Sequence, residues 1–255
     1  AVVDWLILSH VHLDLAGGAG ALLQLLPNAR AVVHPRGAPH MVDPARLIAG
    51  ATAVYGEEEM ARSYGSIVPI PEHRVDLARD GHVVDLAGRR LACIDTPGHA
   101  LHHLCVWDEA SRSVFSGDTF GISYRELDSA AGAFVFPTTT PVQFDPEALK
   151  TSIARLAALE PARVFVTHFG AVEDVARHAR ELAGWIDAMV EGALPLAEAA
   201  DRHAALVAML DALYVPRAAA HSGLAPDAVR ELIGMDIELN AQGLGVWLDR
   251  QRRRA

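Results

Sequence analysis

Histidine and aspartate recur in this 255-residue chain where runs of apolar residues end. The segment LILSHVHLDLAGGAG (6–20) carries His10, His12 and Asp14 at alternate positions, followed by a cluster of glycines. DTPGHALHH places His99 after a Pro-Gly pair, SGDTFG places Asp118 after Gly117, and VTHFG carries His168. A lone histidine at a strand end is ordinarily a capping or core residue. Several imidazoles and carboxylates at the ends of strands in one sheet are a different matter. They bring neutral nitrogen and anionic oxygen donors together, the set that a divalent transition metal takes up. His10 and His12 are two residues apart, so an extended backbone projects both to one side, and Asp14 continues the series. Gly17 and Gly18 permit a tight turn beside them, and Gly98 and Gly117 do the same before His99 and Asp118.

The elements that carry these residues follow from the apolar patterning. VVDWLILSH reads as a buried strand delivering His10 at its C-terminal end, and LAGGAGALLQLLPN as a glycine-rich turn into a short helix. ARAVVHP is strand-like, stopped by Pro35, and residues 36–72 are punctuated by Pro and Gly and read as irregular or helical. HVVDLAGRRLACIDTPGH predicts a hairpin turning at AGR, and HHLCVWDEASRSVFSGD another turning at DEAS. Residues 121–144, which include FPTTTP, read as a long loop. DPEALKTSIARLAALEP predicts a helix with Asp145 as its cap and Pro146 in its first turn, and ARVFVTHFG a strand ending at His168. From about residue 171 onward three segments carry helical periodicity. The expected organisation is therefore a strand-rich domain over 1–170 and a helical segment over 171–255 that acts as a cap or an interface, in an α/β layered architecture.

The motifs HVHLD, TPGH, GD and THFG, in this order and at these separations, resemble the metallo-β-lactamase superfamily over residues 1–170. The resemblance implies a four-layer αββα sandwich with the metal site along one edge. It implies a first metal held by His10, His12 and His99 with Asp118 bridging, and a second held by Asp14, Asp118, His168 and the residue after Asp14. In the family that last residue is a histidine; here it is Leu15, which has no lone pair to donate. One tight zinc site is therefore expected, with a second that is weak or absent; iron is the alternative metal. Family members carry several strands before the first histidine motif, whereas nine residues precede His10 here. The chain is accordingly read as a fragment or as a domain whose N-terminal strands are incomplete.

The resemblance implies a metal-dependent hydrolase acting on an ester, a lactone, a thioester or a related small molecule, with Asp14 as catalytic carboxylate. Two other readings stay open. One is a mononuclear iron dioxygenase acting on persulfides, favoured by the loss of the second-site histidine; the other is a catalytically impaired metal-binding member. His103 matches a histidine that supports ligands in related segments. Tyr124 and Arg125 follow the Asp118 turn, and Arg125 either meets a substrate carboxylate or forms a surface ion pair. His34 reads as structural at a strand end, and Tyr55 and Tyr64 either pack or line the pocket mouth. GGAG (17–20) lacks the Lys-Ser/Thr ending of a phosphate loop, and no GxSxG elbow is present.

Composition bounds the partners. About half the residues are apolar (51%) and the net charge is −10, which disfavours nucleic acid and anionic membrane as partners. The basic run RQRRR (Arg250–Arg254) reads as a solvated helix end. Two cysteines, Cys93 and Cys105, sit in apolar runs and read as buried thiols in a reducing compartment. With no leader segment visible and no spanning apolar run, the expected location is the cytoplasm. The chain opens on AVVDWLILSH without Met, which leaves a preceding segment open. The helical stripes after residue 171 suggest a homodimer, which gel filtration tests.

Overall fold

The computed structural model describes residues 2–139 and 142–253, with backbone alone at Val54 and Tyr55. The expectations on the Tyr55 side chain, on Thr140 and Pro141 of FPTTTP and on Arg254 lie outside the described residues. The chain forms two compact units, Ala1–Asp95 with His102–Ala110, and Thr96–Leu101 with Ser111–Ala255.

In the first unit, β1 (Trp5–Ile7) leads to α1 (Leu13–Ala16), α2 (Ala19–Leu25) and β2 (Arg30–Val33). Three helices follow, α3 (Ala38–Val42), α4 (Ala45–Tyr55) and α5 (Glu57–Ser63). The unit ends with β3 (Val75–Leu77), β4 (Val83–Leu86), β5 (Arg89–Asp95) and β6 (Leu104–Asp108). β1, β2 and β3 form a parallel sheet in that order, and the helices between them are the crossovers that parallel pairing requires. β4, β5 and β6 pair antiparallel. The predicted AGR hairpin is present: Ala87 and Gly88 both have positive φ (53° and 87°), the twist that a two-residue hairpin loop needs.

The apolar run of β2 is explained by burial on both faces. Ala31 and Val33 point into a cluster with Leu8, Val11, Leu23 and Met41, on the helical side. Val32 points the other way, among Val84, Cys93, Leu104 and Val106 of the antiparallel strands. This unit is thus helices, parallel sheet and antiparallel sheet in layers.

Two features fix the glycine-rich turn after His12. Gly20 lies against the chain at Val68, where an added Cβ would sit 1.8 Å from the Val68 carbonyl oxygen. α2 is only seven residues, too short to persist alone. The guanidinium of Arg74 donates to the carbonyls of Leu23 (2.8 Å), Leu26 and Ala29 (3.1 Å from Nε), adding side-chain donors at the end of the helix and along the turn that follows it.

In the second unit come β7 (Ser113–Gly117), β8 (Ile122–Ser123), β9 (Val135–Phe136), α6 (Pro146–Ala157), β10 (Arg163–Val166) and β11 (Gly170–Val172). The long helices α7 (Val175–Ala193), α8 (Arg202–Ser222) and α9 (Pro226–Arg252) complete it. β10 pairs parallel with β7, and β8 with β9 makes a small antiparallel pair within the expected loop. α6 is capped as predicted, Asp145 accepting from the Ala148 N–H at 3.1 Å. The strand expected to end at His168 ends at Val166. The chain reverses at Phe169 and Gly170 (φ 77° and 105°), β11 returns antiparallel along β10, and helix begins only at Val175. Buried residues of α7 (Leu182, Trp185, Ile186, Met189), α8 (Leu206, Leu210, Tyr214) and α9 (Ile233, Ile237, Leu244, Leu248) recur every three to four positions, as the amphipathic pattern requires. Among the described residues, no helix is long and apolar enough to cross a membrane.

Gly20→Ala is expected to lower stability by about 1–3 kcal/mol through overpacking against Val68. Gly18→Ala, at φ −83° with open space around it, should be neutral or slightly stabilising. Urea unfolding of the two variants checks the contrast. The Arg30 guanidinium, 2.9 Å from Asp76 through Nε, holds Asp76 below the usual carboxylate range. A depressed carboxylate stabilises the fold above its unfolded pKa of about 4, and that contribution is lost as pH falls through the folded value. The stability gap between wild type and Asp76→Asn should therefore be largest near neutrality and close in acid, as read from unfolding curves at several pH values.

Candidate metal centre

His10 follows β1 at the C-terminal edge of the parallel sheet, where the strand pairing continues through the Leu8 N–H to the Val32 carbonyl (3.0 Å). Its ring is buried. Nδ1 lies 3.2 Å from the Ser9 hydroxyl, and Nε2 lies 3.0 Å from Nδ1 of His12, with the two rings edge to face. The His12 backbone is extended, as the two-residue spacing predicts. The series breaks immediately after it. The His12 carbonyl accepts from Leu15 and Ala16 N–H, so helix α1 starts at Leu13 and carries Asp14 away from the extended register, into an exposed first turn.

His103 is fully buried and stacks on His10 with centroids 4.9 Å apart. His102, which the motif reading left without a role, receives the Val11 N–H on Nδ1 (3.4 Å) and meets the His12 ring edge to face. Both thus shape the backs of the His10 and His12 rings. His34 pairs with Asp95 at 3.2 Å, a strand-end contact as expected. Burial pushes the Tyr64 hydroxyl pKa up, and the nearby charges of Asp14 and Glu59 add to it.

In the second unit, Asp118 follows β7 and His168 follows β10, and the parallel pairing of those strands brings both to one edge. His99 is fully buried. Its Nδ1 is 3.1 Å from the Thr138 carbonyl, an acceptor only, so Nδ1–H donates there and Nε2 is the nitrogen left for the other side. Nε2 of His99 lies 3.4 Å from Asp118 Oδ2, and Nε2 of His168 lies 3.9 Å from Oδ1. Tyr124 stacks on Phe169 and donates its hydroxyl to Asp236 of α9 at 2.7 Å. Burial pushes the Asp236 carboxyl up, against the Tyr124 hydrogen bond and the nearby His168, which pull it down. Arg125 is engaged by Asp128 (3.0 Å) and the Ala171 carbonyl (3.3 Å), the surface ion-pair alternative.

Four residues, His10, His12, His99 and Asp118, form one group able to hold a metal ion, each offering a ligand atom within 4.8 Å of the others. Three imidazoles and one carboxylate, three of the four residues buried, are a fitting donor set for a divalent transition metal. Asp14 and His168 lie outside this group of four. Elsewhere in the second unit, a cavity of about 430 Å³ is lined by Phe134, Trp185, Arg217 and His221 among others and includes none of the four.

Comparison with known proteins finds relatives in sequence and in fold. ST1585 of Sulfurisphaera tokodaii, a metallo-β-lactamase fold-containing protein, is 29% identical over 174 residues, 67% of this chain and 62% of ST1585. An atrochrysone carboxyl ACP thioesterase of Aspergillus fumigatus is 26% identical over 117 residues, 46% of this chain and 27% of the thioesterase. The chain thus spans less than two thirds of the length of either curated relative. The crystal structure of ST1585 superposes with a TM-score of 0.65 at 23% identity, covering 94% of this chain and 79% of ST1585. That of TTHA1429 from Thermus thermophilus, a metallo-β-lactamase family protein, gives 0.61 at 24% identity, covering 91% and 75%. These likenesses show the expected α/β metallo-β-lactamase fold with its C-terminal helices. The model of the metallo-β-lactamase superfamily matches residues 2–168, well over half of the chain, and the chain belongs to that superfamily.

Proposed function

We propose that this protein is a metal-dependent hydrolase of small ester, thioester or lactone substrates, with its metal held by His10, His12, His99 and Asp118. The observation that carries this reading is the convergence of three imidazoles and one carboxylate within 4.8 Å. A divalent metal on such a set supplies Lewis-acid chemistry and makes a water acidic enough to ionise near neutral pH.

The chain's own residues do the rest. The Thr138 carbonyl fixes the His99 tautomer, and Ser9 and His103 hold the His10 ring. Asp118 sits between His99 and His168 and would offset the charge of a bound cation. Asp14, exposed two residues beyond His12, is the proposed acceptor for the proton released when water attacks. Leu15 stands where the family pattern has a ligand, so a second metal would rest on Asp14, Asp118 and His168 alone and bind weakly. The thioesterase relative supports an acyl-transfer substrate class.

Elemental analysis of protein purified without added metal tests the centre. Wild type is expected to hold about one zinc per chain, rising toward about two in Leu15→His. His10→Ala should lose most of the metal. Chelation should abolish hydrolysis of simple esters and thioesters, and zinc should restore it. One iron per chain with oxygen consumption would replace the hydrolase by the dioxygenase reading. Metal bound without turnover of any acyl substrate in either form would make the chain an impaired member. No metal in either form would overturn the proposal.

A further inference from the structure

The middle of α9 carries a residue that helix packing alone does not call for. Asn240 is fully buried in a 27-residue helix, where a polar amide is costly unless every group is matched. It is matched, and by one short stretch of chain. Its Oδ1 accepts the Thr139 N–H at 2.6 Å, and its Nδ2 donates to the Pro137 carbonyl at 3.0 Å. The Thr139 hydroxyl lies 3.2 Å from both Oδ1 and the backbone oxygen of Asn240. One helical turn on, Gly243 lets the segment lie directly on the helix: a Cβ there would be 1.8 Å from the Thr139 carbonyl oxygen.

Asn240 therefore grips the residues on either side of Thr138. Successive carbonyls of an extended segment point in opposite directions. With the Pro137 carbonyl turned to α9, the Thr138 carbonyl faces the other way and receives Nδ1–H of His99 at 3.1 Å. The same imidazole presents Nε2 toward Asp118.

We propose that Asn240 is a positioning residue for His99: through the Thr138 carbonyl it sets the tautomer and ring angle in which His99 offers Nε2 to the metal. This rests on the reading of His99 as a metal ligand. It also gives the C-terminal helix a part in the centre that no motif of residues 1–170 contains. Partners of this kind typically change metal affinity about 10- to 100-fold.

The test uses long-range proton–nitrogen NMR of the histidine rings in metal-free protein, together with Co²⁺ affinity by chelator competition. In wild type, His99 should show a protonated Nδ1. In Asn240→Asp, which keeps the acceptor and loses the donor to Pro137, and in Gly243→Ala, which displaces Thr139, the His99 ring should move toward a mixture of tautomers. Co²⁺ should then bind about 10- to 100-fold more weakly. Leu206→Ala, which empties a buried position of α8, should lower stability yet leave the His99 signal unchanged, which separates positioning from general loss of stability. A wild-type His99 with a proton on Nε2 and none on Nδ1 would overturn the proposal without any variant. So would folded Asn240→Asp and Gly243→Ala proteins with an unaltered His99 signal. If His99→Ala binds Co²⁺ as tightly as wild type, the metal reading of His99 fails on its own. The NMR comparison then still decides whether Asn240 governs the imidazole.

Discussion

A buried imidazole has two ring nitrogens, and each needs a partner of the right sense. That requirement governs the arrangement around the candidate centre. The Thr138 carbonyl accepts the hydrogen bond of His99 Nδ1–H, and Ser9 stands at His10 Nδ1. Nε2 of His10 meets Nδ1 of His12, and Nε2 of His99 is turned toward Asp118. Flat contacts with His103 and edge contacts with His102 then limit how far the His10 and His12 rings can turn.

Strand direction supplies these residues. β1 is parallel to β2 and β3, and β10 is parallel to β7, so chain ends that belong to different parts of the sequence emerge at the same edge of their sheets. Parallel strands require long crossovers, and these account for the helices between β1 and β3. β2 is buried on both faces, and the chain leaving β1 stays paired to it through the Leu8 N–H and the Val32 carbonyl.

Much of this was legible in the sequence because it is local. The apolar run stopped by Pro35 marked β2, the AGR turn marked the β4–β5 hairpin, the Asp145-Pro146 pair marked α6, and the spacing of His10 and His12 marked an extended pair of imidazoles. Where local spacing was extended too far, it failed. Asp14 continues the alternate series only on paper, because the His12 carbonyl starts a helix at Leu13. The return strand β11 was hidden in a segment whose helical composition begins before the helix does, and Phe169 at positive φ is a conformation no side-chain pattern announces. The support from Asn240 and Asp236 was out of reach for a different reason. Both act about a hundred residues from the segments they hold, and a single asparagine within an apolar stripe carries no address.

Arg74 shows how far such long-range ties extend. Its guanidinium closes the end of α2 from about fifty positions along the chain, next to β3. A seven-residue helix cannot hold its own hydrogen bonds, so α2 persists only while β3 is in place. Amide protons of α2 should then exchange with solvent through the same opening event as those of the parallel sheet. The helix that follows the glycine-rich turn is in that sense tied to the sheet through Arg74, across about fifty residues of chain.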